Sequence, residues 1–500
     1  MSRYLTDEEL SRTAPAETAS FAAPIPTQIV SNGEFNPLPQ TRAQRQVEAR
    51  IKDLAVELAP KHGMSRRRFL ASSAGMAAAF LAMNDIYGPL FKVGRAEAAT
   101  PGAADARAGA LAGQFIIDCQ THFVRDDYQH QELLGLAQYA RKNWNPQLAN
   151  ENSLARYKFE NYVKEVFVDS DTKIALLTGA PVDDPSWDFL SNDQITAART
   201  AINRVAGSRR LLAHSIVAPK RPDFLAEVDR SIATLKPDSW KAYTVGDPLA
   251  MSKIQSYWRL DDEKLMYPFY DKMVKSGITN LCIHKGLMPA DYEKSWPEVW
   301  QFATVWDLAK AAKDWPQINF IIYHSAMRAF LEPPEDTYAE FDKTGRIKWA
   351  TDLAEIPAKH GVKNVYGELG TCFANSAVAN PKLAAALVGT LIRGLGVDHV
   401  LWGTDSVWYG SPQWQIEALR RLEIPGDMQK KHRFAALGPA DGKVKTAIFS
   451  GNAARLYKLQ TKAALGPITH DNIAAIKAEY VAAGGQRSNA RYGYVHRATT

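Results

Sequence analysis

Short apolar runs of four to six residues alternate along this chain with longer stretches in which apolar residues recur every three or four positions. The first pattern predicts buried strands, and the second predicts helices that cover them. Their alternation is typical of βαβ units, which build a parallel sheet. Because eight strands close a barrel, the sequence predicts an α/β fold of the (β/α)8 TIM barrel type. The candidate strands span residues 115–123, 173–181, 210–218, 239–247, 278–286, 319–327, 364–373 and 399–408.

The regular alternation is confined to residues 112–460, which we predict to be the barrel domain. Residues 461–500 contain one more helical pattern and a basic end, which predict a short C-terminal helical tail. Residues 1–98 lack the alternation and form an N-terminal extension.

The extension contains a motif that is typical of twin-arginine export signals. Arg66 and Arg67 lie in the run SRRRFL, an apolar stretch follows as far as Met83, and the small-residue sequence AEA ends at Ala98. Such signals direct folded proteins to the export machinery. We therefore predict a signal at residues 64–98 and a periplasmic or exported protein.

Two features weaken this prediction and leave alternatives open: Met64 is the true start, the leader is unusually long, or the segment is a retained helix that packs on the barrel of a cytoplasmic protein. The arginine pair lies more than sixty residues from Met1, whereas a signal normally starts the chain. Asn84 and Asp85 also interrupt the apolar stretch. The sequence leaves open whether residues 1–98 are removed.

Composition excludes some classes of function. With 46% hydrophobic and 23% charged residues among 500, the chain has an ordinary globular composition, and its net charge of +6 is modest. No basic stripe with interleaved aromatic residues is present, so we do not expect a nucleic-acid partner. Three cysteines, Cys119, Cys282 and Cys372, cannot build a disulfide framework. We interpret them as small apolar fillers, with a reactive thiolate as the alternative.

Polar residues end four of the candidate strands: Gln120, His122, His284, His324 and Asp405. The carboxyl ends of barrel strands meet at one mouth, where barrel enzymes keep their chemistry. We therefore expect these side chains to lie close together. Imidazole and carboxylate are good ligands of divalent metals, and a neutral amide is a weak one.

The same residues carry a resemblance to a known family. Residues 118–122, His284, His324 in IIYHSAM, the GTD sequence at 403–405 and SGNAARLY at 450–457 resemble motifs of the amidohydrolase superfamily. The resemblance is greatest to the branch typified by aminocarboxymuconate semialdehyde decarboxylase. It covers residues 112–460 and implies a barrel enzyme.

The resemblance also implies roles for individual residues. Relatives carry an H-x-H pair on the first strand, and here Gln120 takes the place of the first histidine. His122, His284 and Asp405, with Gln120 as a weak fourth ligand, would hold one divalent metal ion, with zinc as the preferred ion. Asp405 would accept a proton from metal-bound water, and His324 would act as an acid, a base or a charge stabiliser. Replacement of an imidazole by an amide should weaken the metal site.

Other side chains are candidates for substrate contacts. Arg125 begins the first loop and is placed to bind a substrate carboxylate, with a surface ion pair as the alternative. Lys241 lies on the fourth candidate strand, and Trp408 follows Asp405 closely. His214 and Glu368 are further candidates, although a structural role is the simpler interpretation of both.

We predict a metal-dependent hydrolase that acts on a small carbonyl substrate, an ester, lactone or amide. The first alternative is a non-oxidative decarboxylase, or carboxy-lyase, of an aromatic or unsaturated acid. The second is a catalytically inactive barrel that acts as a binding protein, which the change at Gln120 motivates. The resemblance also implies a homodimer.

Overall fold

The computed structural model of the chain describes residues 13–15, 23–32, 35, 37–128, 157–181, 185, 188–246, 257–288, 292–485 and 494–496. Eight parallel strands lie side by side in chain order, as the apolar pattern predicts. They are β1 (Ile117–Thr121), β2 (Ile174–Leu177), β3 (Leu211–Val217), β4 (Ser239–Tyr243), β5 (Asn280–His284), β6 (Asn319–Tyr323), β7 (Val365–Glu368) and β8 (Val400–Leu401).

The sheet closes on itself where the chain after β8 meets β1. Thr121 and Ser406 form a parallel bridge. The N–H of Asp405 donates to the carbonyl of Gln120 at 3.0 Å, and that of His122 donates to the carbonyl of Ser406 at 2.5 Å. The predicted (β/α)8 barrel is therefore confirmed, and its closure brings the end of β1 next to Asp405.

A β-bulge interrupts β1 just before this closure. Asp118 pairs with Ala175 and Thr121 pairs with Leu177, so β1 contains one residue more than β2 over the same distance. Cys119 lies in the bulge and packs in a buried apolar cluster with Ile174, Leu176 and Cys282, as expected for a small apolar filler.

The helices that cover the sheet pack their apolar faces against it, and the second of these shows how their ends are fixed. Ser191 caps Asn192–Ala206 in a capping box with Gln194, and Gly207 ends it in the left-handed conformation. The helices of this region are Phe159–Val163, Asn192–Ala206, Phe224–Arg230, Tyr267–Ser276, Tyr292–Ser295, Leu308–Asp314, Pro334–Thr344, Ala350–His360, Cys372–Ala379, Pro381–Leu395, Gln413–Arg421, Gly426–His432, Lys443–Thr446 and Asn452–Leu456.

The N-terminal extension is helical and packs on the barrel. Its helices are Arg42–Leu58, Arg66–Leu70, Ser73–Tyr87 and Arg95–Ala99, and the helix Ala103–Leu111 follows before the barrel. The apolar stretch of the signal-like motif forms Ser73–Tyr87, which is buried in the same apolar cluster as Pro381–Leu395. Asn84 does not merely interrupt this stretch, because its side chain accepts from the N–H groups of Leu90 and Phe91 at 3.1 and 2.9 Å.

No helix among the described residues combines the length and apolar character that a membrane span requires.

The C-terminal tail packs on the outside of the barrel. Its helices are Thr461–Thr469 and Asn472–Ala482. Asp471 caps the second helix and forms an ion pair with Arg210 at 2.7 Å, just before β3. Further along, Tyr494–His496 pairs antiparallel with Thr13–Pro15, which joins the two ends of the chain.

Candidate active site

The structure brings together all five polar residues that end the predicted strands. His122 follows β1, His284 ends β5, His324 follows β6, and Asp405 lies four residues beyond β8. With Gln120 they form a cluster at the carboxyl ends of the strands, in which each residue is only 1% or 2% exposed. Buried polar groups need partners, so the contacts within this cluster determine its chemistry.

The carboxylate of Asp405 is the centre of the cluster. Its Oδ1 lies 2.9 Å from Gln120 Nε2 and 3.0 Å from His122 Nε2. Its Oδ2 accepts from Thr371 Oγ1 at 2.7 Å and from Asn32 Nδ2 at 3.3 Å. Burial raises the pKa of this carboxyl, but the His122 hydrogen bond and the charges of His122 and His324 outweigh burial, so the pKa lies below its ordinary value. Asp405 is therefore ionised at neutral pH.

Both ring nitrogens of His122 face oxygen acceptors. Nδ1 lies 2.9 Å from the carbonyl oxygen of Thr178, while Nε2 faces Asp405. An imidazolium satisfies both contacts, whereas a neutral ring satisfies only one of them. The contact between His122 and Asp405 thus requires a proton or another positive charge between the two groups.

His324 and His284 are neutral and face each other. The Nδ1–H of His324 donates to the carbonyl of Gly370 at 2.9 Å, which leaves a lone pair on Nε2. That nitrogen lies 3.1 Å from His284 Nδ1 and 3.4 Å from Gln120 Nε2. Burial lowers the pKa of His324 to about 4 and that of His284 well below its usual value. His324 can therefore accept a proton at Nε2.

The backbone is strained at three residues of the cluster. His324, Thr371 and Asp405 each have φ of +59°, a conformation that residues other than glycine rarely adopt. Such strain costs on the order of 1–3 kcal/mol per residue and collects at functional sites. The surrounding fold holds these side chains in positions that relaxed strands would not give them.

A second buried carboxyl group, that of Glu368, binds the backbone next to the cluster. It accepts the N–H of Gly370 at 2.7 Å and that of His324 at 3.2 Å. A Cβ at Gly403 would lie 1.6 Å from Glu368 Oε1, so only glycine fits there. Burial raises the pKa of Glu368 to about 8, and the neighbouring Asp405 adds to this rise. Glu368 is mostly protonated at pH 7.

Aromatic rings surround the histidines. Tyr243 stacks on His284 with ring centroids 4.2 Å apart, and Trp408 lies 5.7 Å from His122. Lys241 is fully buried beneath them, with its Nζ 3.8 Å from the centroid of the Tyr323 ring. Trp408 therefore lies beside the cluster, whereas Lys241 lies under it among aromatic rings, and the substrate-contact role of both stays a prediction.

Two other sequence candidates lie outside the cluster. Arg125 is on the first loop, where its Nε is 3.7 Å from Asp127 Oδ1 and its guanidinium lies over the Tyr128 ring. His214 is deep in the barrel and is hydrogen bonded at both ring nitrogens, at 2.9 Å to Tyr323 and at 2.9 Å to Ser239. The substrate-contact role of Arg125 stays a prediction, and the contacts of His214 are those of a structural residue.

The side chains of the cluster are of types that bind divalent metals, but they are not arranged as the ligands of one ion. His122 Nε2 and Asp405 Oδ1 face each other as two ligands of one ion would. However, Gln120 turns its N–H toward Asp405, and His284 Nδ1 faces His324. Among the residues that the structure describes, no group of three or more His, Cys, Asp or Glu side chains is arranged to hold a metal ion. The residues as placed do not fit the predicted metal, which stays a prediction.

Sequence reasoning missed three members of the site. Thr371, which donates to Asp405, follows β7 in the run ELGTCF, so its place after a strand was a usable signal. Tyr243 is the last residue of β4, so its position at the end of a strand was a usable signal as well. Asn32 lies in the N-terminal extension, more than eighty residues before β1, and no pattern in the sequence points to it.

Comparison with known proteins identifies the barrel region. A family model described as Amidohydrolase matches residues 117–459, which is more than half of the chain. No curated protein matches the sequence.

Several solved structures are similar at low identity. An uncharacterised TIM-barrel protein from Bordetella bronchiseptica is 14% identical, with a TM-score of 0.41, over 70% of this chain and 99% of that one. The 5-carboxyvanillate decarboxylase of Novosphingobium aromaticivorans, complexed with manganese and 4-hydroxy-3-methoxy-5-nitrobenzoic acid, is 14% identical, with a TM-score of 0.41, over 70% and 97%. The 4-oxalomesaconate hydratase of Rhodopseudomonas palustris is 15% identical, with a TM-score of 0.36, over 73% and 100%.

Proposed function

Because the chain belongs to the amidohydrolase family, we propose that it is a hydrolase of a small ester, lactone or amide. The observation that carries the proposal is the convergence of Gln120, three histidines and Asp405 at the barrel mouth. An ionised carboxylate, a neutral imidazole with an accepting nitrogen and an amide N–H donor are groups that hydrolysis of a carbonyl compound needs.

In this proposal, His324 takes a proton from the attacking water. Its Nδ1–H is held by Gly370, so the proton goes to Nε2. The second N–H of the Gln120 amide donates to the carbonyl oxygen as it gains negative charge, and one such donor is worth ~3 kcal/mol. Asp405 holds Gln120 in place, and its own oxygens already accept from other groups.

The divalent ion that the family resemblance implies is a separate proposal, supported by one pair of groups alone, His122 Nε2 and Asp405 Oδ1, which face each other as two ligands would. Zinc is the ion that the sequence favours, and the amide at Gln120 weakens that preference because an amide oxygen is a poor zinc ligand. Elemental analysis of the purified protein, with zinc and manganese measured per chain, tests this part.

A second candidate, decarboxylation of an aromatic or unsaturated acid, is favoured by the rings around the cluster. Tyr243 on His284 and Trp408 beside His122 provide flat apolar surfaces for a planar substrate. The same histidines would then deliver a proton to the carbon that loses its carboxylate.

A panel of lactones, esters, amides and aromatic acids separates these candidates. We expect acid production from at least one lactone, ester or amide, without release of carbon dioxide. Release of carbon dioxide from an aromatic acid would show the decarboxylase instead. If purified, folded protein binds panel members but turns none of them over, the chain is a binding protein and the hydrolase proposal is wrong.

A further inference from the structure

A segment of the N-terminal extension reaches the centre of the candidate active site. Within residues 23–32, Ile25, Ile29 and Val30 are at most 2% exposed and belong to the main apolar core. The N–H of Val30 donates to Asn375 Oδ1 at 2.9 Å, on the helix that follows Thr371. The segment is therefore fixed on the barrel at the same side as the cluster.

The contact between this segment and the cluster is direct. Asn32 Nδ2 lies 3.3 Å from Asp405 Oδ2, the oxygen that also accepts from Thr371. With Gln120 and His122 on the other oxygen, each carboxylate oxygen then has two donors. A carboxylate with all its accepting positions in use has a fixed orientation, and this in turn orients Gln120 and His122.

The rest of the extension is also joined to the barrel. The chain at Phe91 forms an antiparallel bridge with Leu422, and Lys92 N donates to the carbonyl of Arg421 at 2.7 Å. The guanidinium of Arg421, only 3% exposed, binds Glu97 at 2.6 Å. Residues before Ala98 therefore form backbone and side-chain bonds with the barrel at a second place.

We propose that Asn32 is a positioning residue for Asp405, and that the extension which carries it remains part of the working enzyme. Cleavage after Ala98, as the signal-like motif would suggest, would remove Asn32, the buried helix Ser73–Tyr87 and the partner of Arg421. Export of the whole chain agrees with this proposal, and so does a cytoplasmic location. The catalytic part of the inference rests on the proposed hydrolysis, whereas the contact and the retention do not.

A charge exchange tests the contact without any substrate. Asn32→Asp in the wild-type background places two carboxylates together, and we expect it to raise the unfolding equilibrium constant about tenfold in urea titrations. In an Asp405→Asn background the same change restores an amide opposite a carboxylate, so we expect less than a twofold rise. An equal effect in both backgrounds would overturn the contact.

Activity measurements then test positioning. We expect Asn32→Ala to lower kcat about fivefold and to leave KM within twofold, because the substrate does not contact Asn32 in this proposal. Asn32→Ser provides a second, smaller change if the alanine variant folds poorly. The control is Thr27→Ala, in the same segment, whose hydroxyl lies 3.3 Å from Glu48 and not near Asp405. Equal kcat in the Asn32 and Thr27 variants would contradict a positioning role.

The mass of the intact protein tests retention. Full-length protein expressed in cells that have the twin-arginine pathway should, when purified in folded form, retain residues 23–98. A folded, active product that begins after Ala98 would overturn the proposal. If charge exchange and retention succeed but no compound in the panel is hydrolysed, the hydrolase proposal fails and the structural part of this inference stands.

Discussion

Two groups of buried histidines lie in this barrel, and their hydrogen bonds differ in kind. In the inner network, which consists of His214, Ser239 and Tyr323, the hydrogen-bond donors and acceptors all have partners. Ser239 donates to His214 Nδ1, His214 Nε2–H donates to the Tyr323 hydroxyl, and that hydroxyl donates to the carbonyl of Cys119 at 2.6 Å. Every donor meets an acceptor, as expected for groups that only support a fold.

In the cluster at the mouth, by contrast, the hydrogen-bond donors and acceptors do not all have suitable partners. Both nitrogens of His122 face acceptors, and Gln120 Oε1 is buried without a hydrogen-bond partner among the described residues. The strained backbone at His324 and Asp405 adds to this cost. A site can keep such unpaired groups when a proton, an ion or a substrate completes them, so this difference supports the mouth as the candidate active site.

The largest expected effect is that of Asp405→Asn. The N–H groups of Gln120 and His122 now donate to the carboxylate of Asp405. An amide at this position accepts fewer hydrogen bonds and brings N–H groups of its own, so Gln120 and His122 would lose their orientation. We expect kcat/KM to fall about a thousandfold on any substrate that the panel identifies. Steady-state kinetics would measure this.

The control is Asp398→Asn, which removes the carboxylate of another Asp–His pair. Asp398 lies 3.0 Å from His399 on the surface, just before β8. We expect its kcat/KM to stay within twofold of the wild type. Similar losses of kcat/KM in the two variants would show that the Asp405 carboxylate has no particular role in catalysis.

Much of the fold and of the candidate site could be predicted from the sequence. All eight strands have the apolar runs that buried parallel strands need, so their order and the positions of His122, His284, His324 and Asp405 followed from local pattern. The bulge in β1 could not be predicted, because no Gly or Pro marks it. The contact of Asn32 with Asp405 joins residues 373 positions apart, and only tertiary packing determines it.

The second effect concerns two buried glutamates. The pKa of Glu368 is raised to about 8, whereas at Glu417 the charges of Arg421, Arg420 and Arg107 overcome burial and lower the pKa. Folded Glu368 keeps its proton while the unfolded chain loses it near pH 4.5, so its contribution to stability is complete below pH 4.5 and is lost as pH rises through about 8. We therefore expect Glu368→Gln to gain stability relative to the wild type over this range, by a few kcal/mol.

Urea unfolding at pH 5, 6, 7 and 8 measures this difference. Glu417→Gln, the matched variant, should be destabilised at every one of these values, because its ionised carboxylate binds arginines. If the Glu368 and Glu417 variants respond alike to pH, the two buried carboxyls have the same ionisation state, and the protonated form inferred for Glu368 is wrong.

A smaller effect is expected in the inner network. Tyr323→Phe removes one hydroxyl and leaves both His214 Nε2 and the Cys119 carbonyl without that partner. We expect the free energy of unfolding to fall by about 2 kcal/mol and kcat to change less than threefold. Tyr267→Phe, at an exposed hydroxyl bonded to Lys310 at 3.0 Å, should cost much less. A large loss of kcat in Tyr323→Phe would extend the functional region into the barrel.

The smallest effect, about 1.4 kcal/mol, concerns Gln120, which stands where the family resemblance implies a histidine. Gln120→His restores an imidazole beside Asp405 and His122, and an imidazole is a far better zinc ligand than an amide. We expect the affinity for Zn²⁺ of chelator-treated protein to rise at least tenfold, measured by calorimetry. Gln114→His, where the side chain donates to the Ala440 carbonyl at 2.8 Å, is the control and should not change the affinity. Unchanged affinity in Gln120→His would mean that position 120 does not contribute to a metal site.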